Sequence, residues 1–385
     1  TFDGGPGSLP NGILAANPTP GVPDTIEFQI LRAPLSVRTI SPASSLPTIT
    51  DTLTIDGWSQ GVFDGTPGYN GAPLIELTGA AAGAGADGLT FGVGSSAVNG
   101  LVVNNFAGSG IVFTLLSNLP GGNSRVFGNY IGTTADGTAA APNGTGVLVT
   151  SVLAPGVGAN LDNLIGTDAD GVNDAAERNV ISGNTGAGVF VDVGNGSEAG
   201  AVIRGNTIGL NAAGTAAVPN ATGVQLNENG STVGVTGTEA VPANAGNVIS
   251  GNSRGVFLFA DVAVIAGNVI GLNAARTAKV GNGEGIRLEA GGGTVRIGTN
   301  ADGTADAAEA NVIAGNTTGI DLVNSNNHVI AGNFIGTTAA GTPGLGNVDG
   351  IWLREQGGGQ AQGNVIGGTL AAARNVIRFN TSAGV

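Results

Sequence analysis

The chain has no cysteine and no methionine, one lysine (Lys279), one histidine (His328), and aromatic side chains at only 4% of its 385 positions. Without cysteine there is no disulfide and no thiolate metal site. A lone histidine excludes a paired-histidine metal site and argues against a histidine-based catalytic triad. Thirteen Lys and Arg face 27 Asp and Glu, a formal charge of −14. Neutralising phosphate needs clustered bases, so nucleic acid is not an expected partner, nor is an anionic membrane surface. No run of about 20 apolar residues is present to insert into a bilayer. The missing methionine includes the initiator, and the chain opens on Thr1. That predicts a mature or trimmed product from which a signal peptide is gone.

What is present is glycine, 71 residues, far above the usual ~7%. An apolar fraction of 41% excludes a disordered chain. With so few aromatics the core must be built of Val, Ile, Leu and Ala, which suits a narrow coil better than a thick sandwich. The acidity favours solubility and attracts divalent cations.

The chain also repeats itself. G-N-x-I-G stands at 128–132, 205–209, 267–271 and 332–336. N-V-I-x-G-N stands at 179–184, 247–252 and 311–316, with N-V-I-R-F-N at 375–380. Repetition at such a period signals a solenoid. The steps between Ile208, Ile270 and Ile335 are 62 and 65 residues, and Ile165, Val233, Ile297 and Ile366 form a second series. A coil of ~20–25 residues with three short strands predicts about three coils per repeat and about 15 coils in all, a rod of roughly 70–80 Å. In each phrase the Ile is expected to point inward, the Asn to sit at a corner in a ladder with its neighbours, and the Gly to supply a left-handed turn. Runs such as Gly255–Phe259, Gly285–Leu288 and Gly350–Leu353 alternate with period two, so Val, Ile and Leu face in and Gln, Arg or an aromatic faces out.

Residues 1–55 differ and read as an N-terminal cap with the first strands; residues 56–385 read as one continuous run of coils. A helix-like run spans 8–17, with Ser8 as N-cap and Pro10 in its first turn. The phrases Gly5-Pro6-Gly7-Ser8-Leu9, Ala16-Asn17 and Asp24-Thr25-Ile26 with Phe28, then Ile55-Asp56-Gly57 and the I-G-T-x-A-x-G-T units, resemble secreted bacterial right-handed parallel β-helix repeat proteins of pectin-lyase-like architecture. Pro10 stands where that family has Arg, and Gly12 where it has Ala. The resemblance implies an exported right-handed parallel β-helix and little about activity. At the other end, 381–385 matches the start of the strand phrase at 185–189, so no C-terminal cap is evident. Such an end would be covered by further repeats or by another copy of the chain.

Two acidic loops are the first candidate site. Asp168, Asp170, Asn173, Asp174 and Glu177 make up one; Asn300, Asp302, Asp306 and Glu309 make up the other. Alternating oxygen ligands around a glycine suit Ca²⁺. The same residues also suit a solvated turn in which Asp-Gly supplies the bend. Neither loop has the full EF-hand spacing, and the related 133–137 segment keeps one acid. Trp352 and Arg354 sit on or after an outward strand position, where they could stack on a sugar ring or anchor a partner. Arg204, Arg254 and Arg287 lie far apart in sequence, but stacking of coils could gather them. The function expected from these features is non-catalytic: a structural or adhesive module of an exported, cell-surface or fibre-forming protein, self-associating end to end. The alternatives are a carbohydrate-active lyase or hydrolase, or a Ca²⁺-stiffened module that holds extracellular glycan.

Overall fold

In the computed structural model the described residues are 7–18, 21–115, 122–151, 162–193, 200–235, 237, 245–289 and 293–385. Gly5 and Pro6 of the opening phrase lie outside them. The chain winds as a right-handed parallel β-helix with three all-parallel sheets of 11, 11 and 9 strands. Coils 2 to 10 each contribute one short strand to each sheet in turn, and the first and last coils reach the third sheet only through single bridges, at Ile49 and Ala383. Coils are numbered here by their first-sheet strands: coil 1 at Asp24–Glu27, 2 at Leu53–Asp56, 3 at Ala97–Asn99, 4 at Arg125–Phe127, 5 at Asn163–Gly166, 6 at Ala201–Arg204, 7 at Ser231–Gly234, 8 at Ala263–Ala266, 9 at Val295–Gly298, 10 at Val329–Ala331 and 11 at Val365–Ile366.

The core is a set of isoleucine and valine stacks. Ile208, Ile249, Ile270, Ile313 and Ile335 are directly paired along the second sheet, and the first four are fully buried with Ile335. Ile203, Val233, Ile265, Ile297 and Ile330 do the same in the first sheet. In the third sheet Leu226, Leu258, Leu288 and Leu322 face inward. Packing like on like across a layer spacing of ~4.8 Å fills a narrow interior with small side chains and leaves no room for a second core layer.

Eleven coils replace the expected 15, and at ~4.8 Å per layer they span about 50 Å. The reason lies in the two repeated phrases. Both are second-sheet strands: G-N-x-I-G on coils 4, 6, 8 and 10, and N-V-I-x-G-N on coils 5, 7, 9 and 11. Successive corner asparagines are separated by 50, 27, 41, 21, 43, 22 and 42 residues. Long and short steps alternate, so the repeat holds two coils rather than three. The long step carries both large loops, one following the second-sheet strand of an even coil (210–217 is an example) and one preceding that of the next odd coil.

Asn129, Asn179, Asn206, Asn247, Asn268, Asn311, Asn333 and Asn375 form one unbroken ladder. Asn143, Asn184, Asn220, Asn252, Asn282, Asn316, Asn347 and Asn380 form a second. Asn247 shows how the chemistry closes. Its Oδ1 accepts from the backbone N–H of Asn206 at 2.9 Å and from Asn206 Nδ2 at 3.0 Å. Its own Nδ2 donates to Ile203 O and to Asn268 Oδ1. A buried carboxamide has two donors and one two-lone-pair acceptor, and all are used. In G-N-x-I-G both glycines are left-handed and the asparagine is not: Gly205 and Gly267 before it have φ +74, and Gly209 and Gly271 after the isoleucine have φ +89 and +96.

The helix Leu9–Ala16 has Ser8 at its N-cap and a proline in its first turn, but the Ser8 side chain makes no capping bond. Leu9, Ile13 and Ala16 bury against the core and close the first coil. The strands Asp24–Glu27 and Arg38–Ile40 pair with coil 2, so cap and coils share continuous sheets. Arg38, almost fully buried, pairs with Asp64 at 2.6 Å beneath a second short helix, Ser59–Phe63. Trp58 packs edge-on against Phe127 and donates to Gly71 O. No described helix is long and apolar enough to cross a membrane.

Candidate functional site

The outer face of the third sheet carries the densest polar cluster. Its outward row in coils 7–10 is Phe257, Arg287, Asp321 and Trp352, in direct register. Each follows a repeated glycine by two residues, so the strand's period of two turns all four away from the core. A flanking row adds Arg254, Glu284, Thr318 and Asp349.

Three arginines and three acids interlock here. Arg254 Nε donates to Glu284 at 3.0 Å, and Arg287 donates to Glu284 at 2.6 Å and to Glu289. Asp321, buried to 1%, accepts two bonds from Arg354, one of them Nε–H at 2.8 Å, and lies 3.5 Å from Arg287. Arg354 lies 4.6 Å over the ring of Trp352, and Arg254 lies 4.7 Å over Phe257. Trp352 is 47% exposed, and Phe259, edge-on to Phe257, is 46% exposed. The result is a flat, charge-balanced platform with aromatic ends. Burial works against the charge of Arg287, but the hydrogen bonds and field of Glu289 and Glu284 outweigh it and hold its proton above the ordinary value.

Sequence reasoning singled out Trp352 and Arg354 but left Phe257, Glu284, Glu289 and Asp321 unassigned. Aligning the strands on Gly255, Gly285, Gly319 and Gly350 is the signal that would have found the row. Arg254 and Arg287 do meet; Arg204 does not. It lies on the first sheet, where its Nε donates to Thr167 O.

The two acidic loops prove to be copies of one structure, each joining the first sheet to the second, in coils 5 and 9. In the first, Thr167 Oγ1 donates to Asp174, and Glu177 accepts from the backbone of Asp168 at 3.1 Å. In the second, Thr299 Oγ1 donates to Asp306, and Glu309 accepts from the backbone of Asn300 at 3.0 Å. An arginine enters each, from different strands: Arg125, on the preceding coil, meets Asp168 at 3.0 Å and Glu177 at 3.3 Å, whereas Arg296, on the strand leading into its own loop, meets Glu309 at 2.8 Å. Asp170 and Asp302 are exposed and cap turns at Val172 N and Thr304 N. Asn173 accepts from Asn70. Asp168, Asp174 and Glu177 each bring an oxygen within 4.8 Å of one another. The second loop has Asn300 at the position of Asp168. The 133–137 segment, by contrast, belongs to a different corner, between the second and third sheets.

His328 is fully buried at a corner, where its Nδ1 accepts from Val295 N at 3.1 Å; its place is structural. No family model matches the chain, and no curated protein matches it.

Proposed function

We propose that the chain is a non-catalytic structural or adhesive module of an exported, cell-surface or fibre-forming protein. Its stiff coils carry the third-sheet platform as a contact face for extracellular glycan. One observation carries this reading: the polar groups of the platform are committed to one another. The spacing alone would suit a lyase, since Glu284 and Asp321 both lie within 4 Å of Arg287. Eliminative chemistry needs a deprotonated base to take the substrate's proton, and the surroundings of Arg287 hold it protonated. A hydrolase needs one carboxyl poised to donate a proton, whereas Asp321 and Glu284 each accept from arginines. Fixed guanidinium and indole planes instead suit sugar rings, whose C–H faces pack on Trp352 while hydroxyls bond the rim. End-to-end association with further copies belongs to the same proposal.

Calcium would enter as a stiffening ligand of Asp168, Asp174 and Glu177, displacing Arg125. Titration of the chain with neutral and acidic oligosaccharides, with and without EDTA, tests all of this. Quenching of tryptophan fluorescence that saturates, no new reducing or unsaturated ends, and at least tenfold weaker binding in Trp352→Ala are expected. Bond cleavage would establish the enzymatic alternative, and a melting temperature that falls with EDTA would establish the calcium site.

A further inference from the structure

The outer face of the second sheet lies in a trough between two rows of loops. One row follows the second-sheet strands of coils 4, 6 and 8, and its members superpose residue for residue. Gly137, Gly214 and Arg276 occupy one position, with φ of +67, +67 and +60. Each N–H donates at 2.8 Å to the residue three before it, Thr134, Asn211 and Asn273. In the next loop of the row Gly341 takes the same place, with φ +71. Left-handed backbone disfavours any residue with a β-carbon. Coil 8 nevertheless puts arginine there, and its side chain reaches the trough.

The opposite wall is Arg178, the residue before ladder Asn179. Between the two arginines lies a cleft of about 550 Å³, with Val248 and Val269 in its lining and Asp174 on one side. Asp174 already accepts from Thr167. Burial pulls Arg178 below its ordinary value; Asp174 opposes this, and the like charge of Arg276 adds to it. In a chain of net charge −14, two guanidinium groups thus converge on one cavity at the expense of backbone strain. The next cleft along the trough, lined by Asp306, Phe334, Ala339 and Arg374, has one arginine, because Gly341 stands where Arg276 stands in the first.

We propose that this cleft binds a small oxyanion, a carboxylate or phosphate group, between Arg178 and Arg276, with the body that bears it resting on Val248 and Val269. Two guanidinium forks match the paired oxygens of such groups. The site stands apart from the third-sheet platform and does not depend on it.

Calorimetric titration of the whole chain with citrate and with inorganic phosphate, at ionic strength held constant with NaCl, tests the assignment. Saturable binding of at least one of them is expected, and which one separates the carboxylate from the phosphate source. Arg276→Gly should weaken that binding at least tenfold while raising the melting temperature measured without anion, because glycine suits the left-handed position. Arg178→Gln should weaken it as well. Unchanged affinity in Arg276→Gly, or a response that never saturates for either anion, would overturn the proposal.

Discussion

At the scale of the residue, the corners decide the fold. Gly183, Gly251 and Gly315 stand left-handed before their ladder asparagines, with φ of +81, +79 and +82. In the variant phrase at 375–380 that place is taken by Phe379, at φ +61 and 44% exposed. A left-handed residue with a β-carbon costs about 1–2 kcal/mol. Phe379→Gly should therefore stabilise the protein by about 1 kcal/mol, read as a higher urea midpoint with an unchanged slope. The first asparagine ladder was legible in the sequence because its members head the N-V-I and G-N-x-I phrases, whereas Asn143, Asn220, Asn282 and Asn347, half of the second, lie outside both phrases. What the sequence did not show is which residue takes the strained backbone, since Asn and Gly both tolerate it.

Among the elements, a buried ion pair, Arg38 with Asp64, adds to the sheet pairing that joins the cap to the coils. Desolvation raises the Asp64 carboxyl, but bonds from Leu35 N, Arg38 and Gln60, with the charge of Arg38, outweigh it and hold the group below its ordinary 3.8. A depressed carboxylate contributes stability that is whole above the ordinary value and lost as pH falls through the lower folded one. Melting of the native chain should thus fall between pH 7 and pH 2.5 by more than that of Asp64→Asn; an equal fall in both would show that the pair does not hold the cap. The third-sheet platform belongs to this scale too. Arg254, Arg287 and Arg354 meet only because strands in coils 7, 8 and 10 align, and the loops between those strands hide that register from inspection. The acidic loops were legible as copies of each other, whereas their arginines were not. Arg125 reaches Glu177 across 52 residues.

For the molecule as a whole, the repeat of 62–65 residues and an inward isoleucine row were readable, the right hand was implied only by the family resemblance, and the number of coils was not readable. The sequence spacing suggested the short turn of 21 residues for every coil, so each long turn counted as two, and only the pairing of Thr207–Ile208 with Val248–Ile249, and of that strand with Val269–Ile270, shows the long turn to be a single layer. Ile270, fully buried at the middle of this column, tests the arrangement. Ile270→Asp buries an unpaired carboxylate and should destabilise by roughly 3–5 kcal/mol. Because each coil touches only its neighbours, amide exchange should accelerate most in coils 7–9 and least near the cap. Protection unchanged at Val248–Ile249 would mean that the column is not the core.

The alternation of long and short turns also fixes how such a molecule can change size. Ala212 N bonds Gly137 O and Ala274 N bonds Gly214 O, so loops of the same kind touch across an intervening layer. Deleting a single layer would bring two loops of the same kind into adjacent layers at the junction, while deleting an adjacent pair restores the match. Growth and loss of this rod without a fault line are quantised in twos.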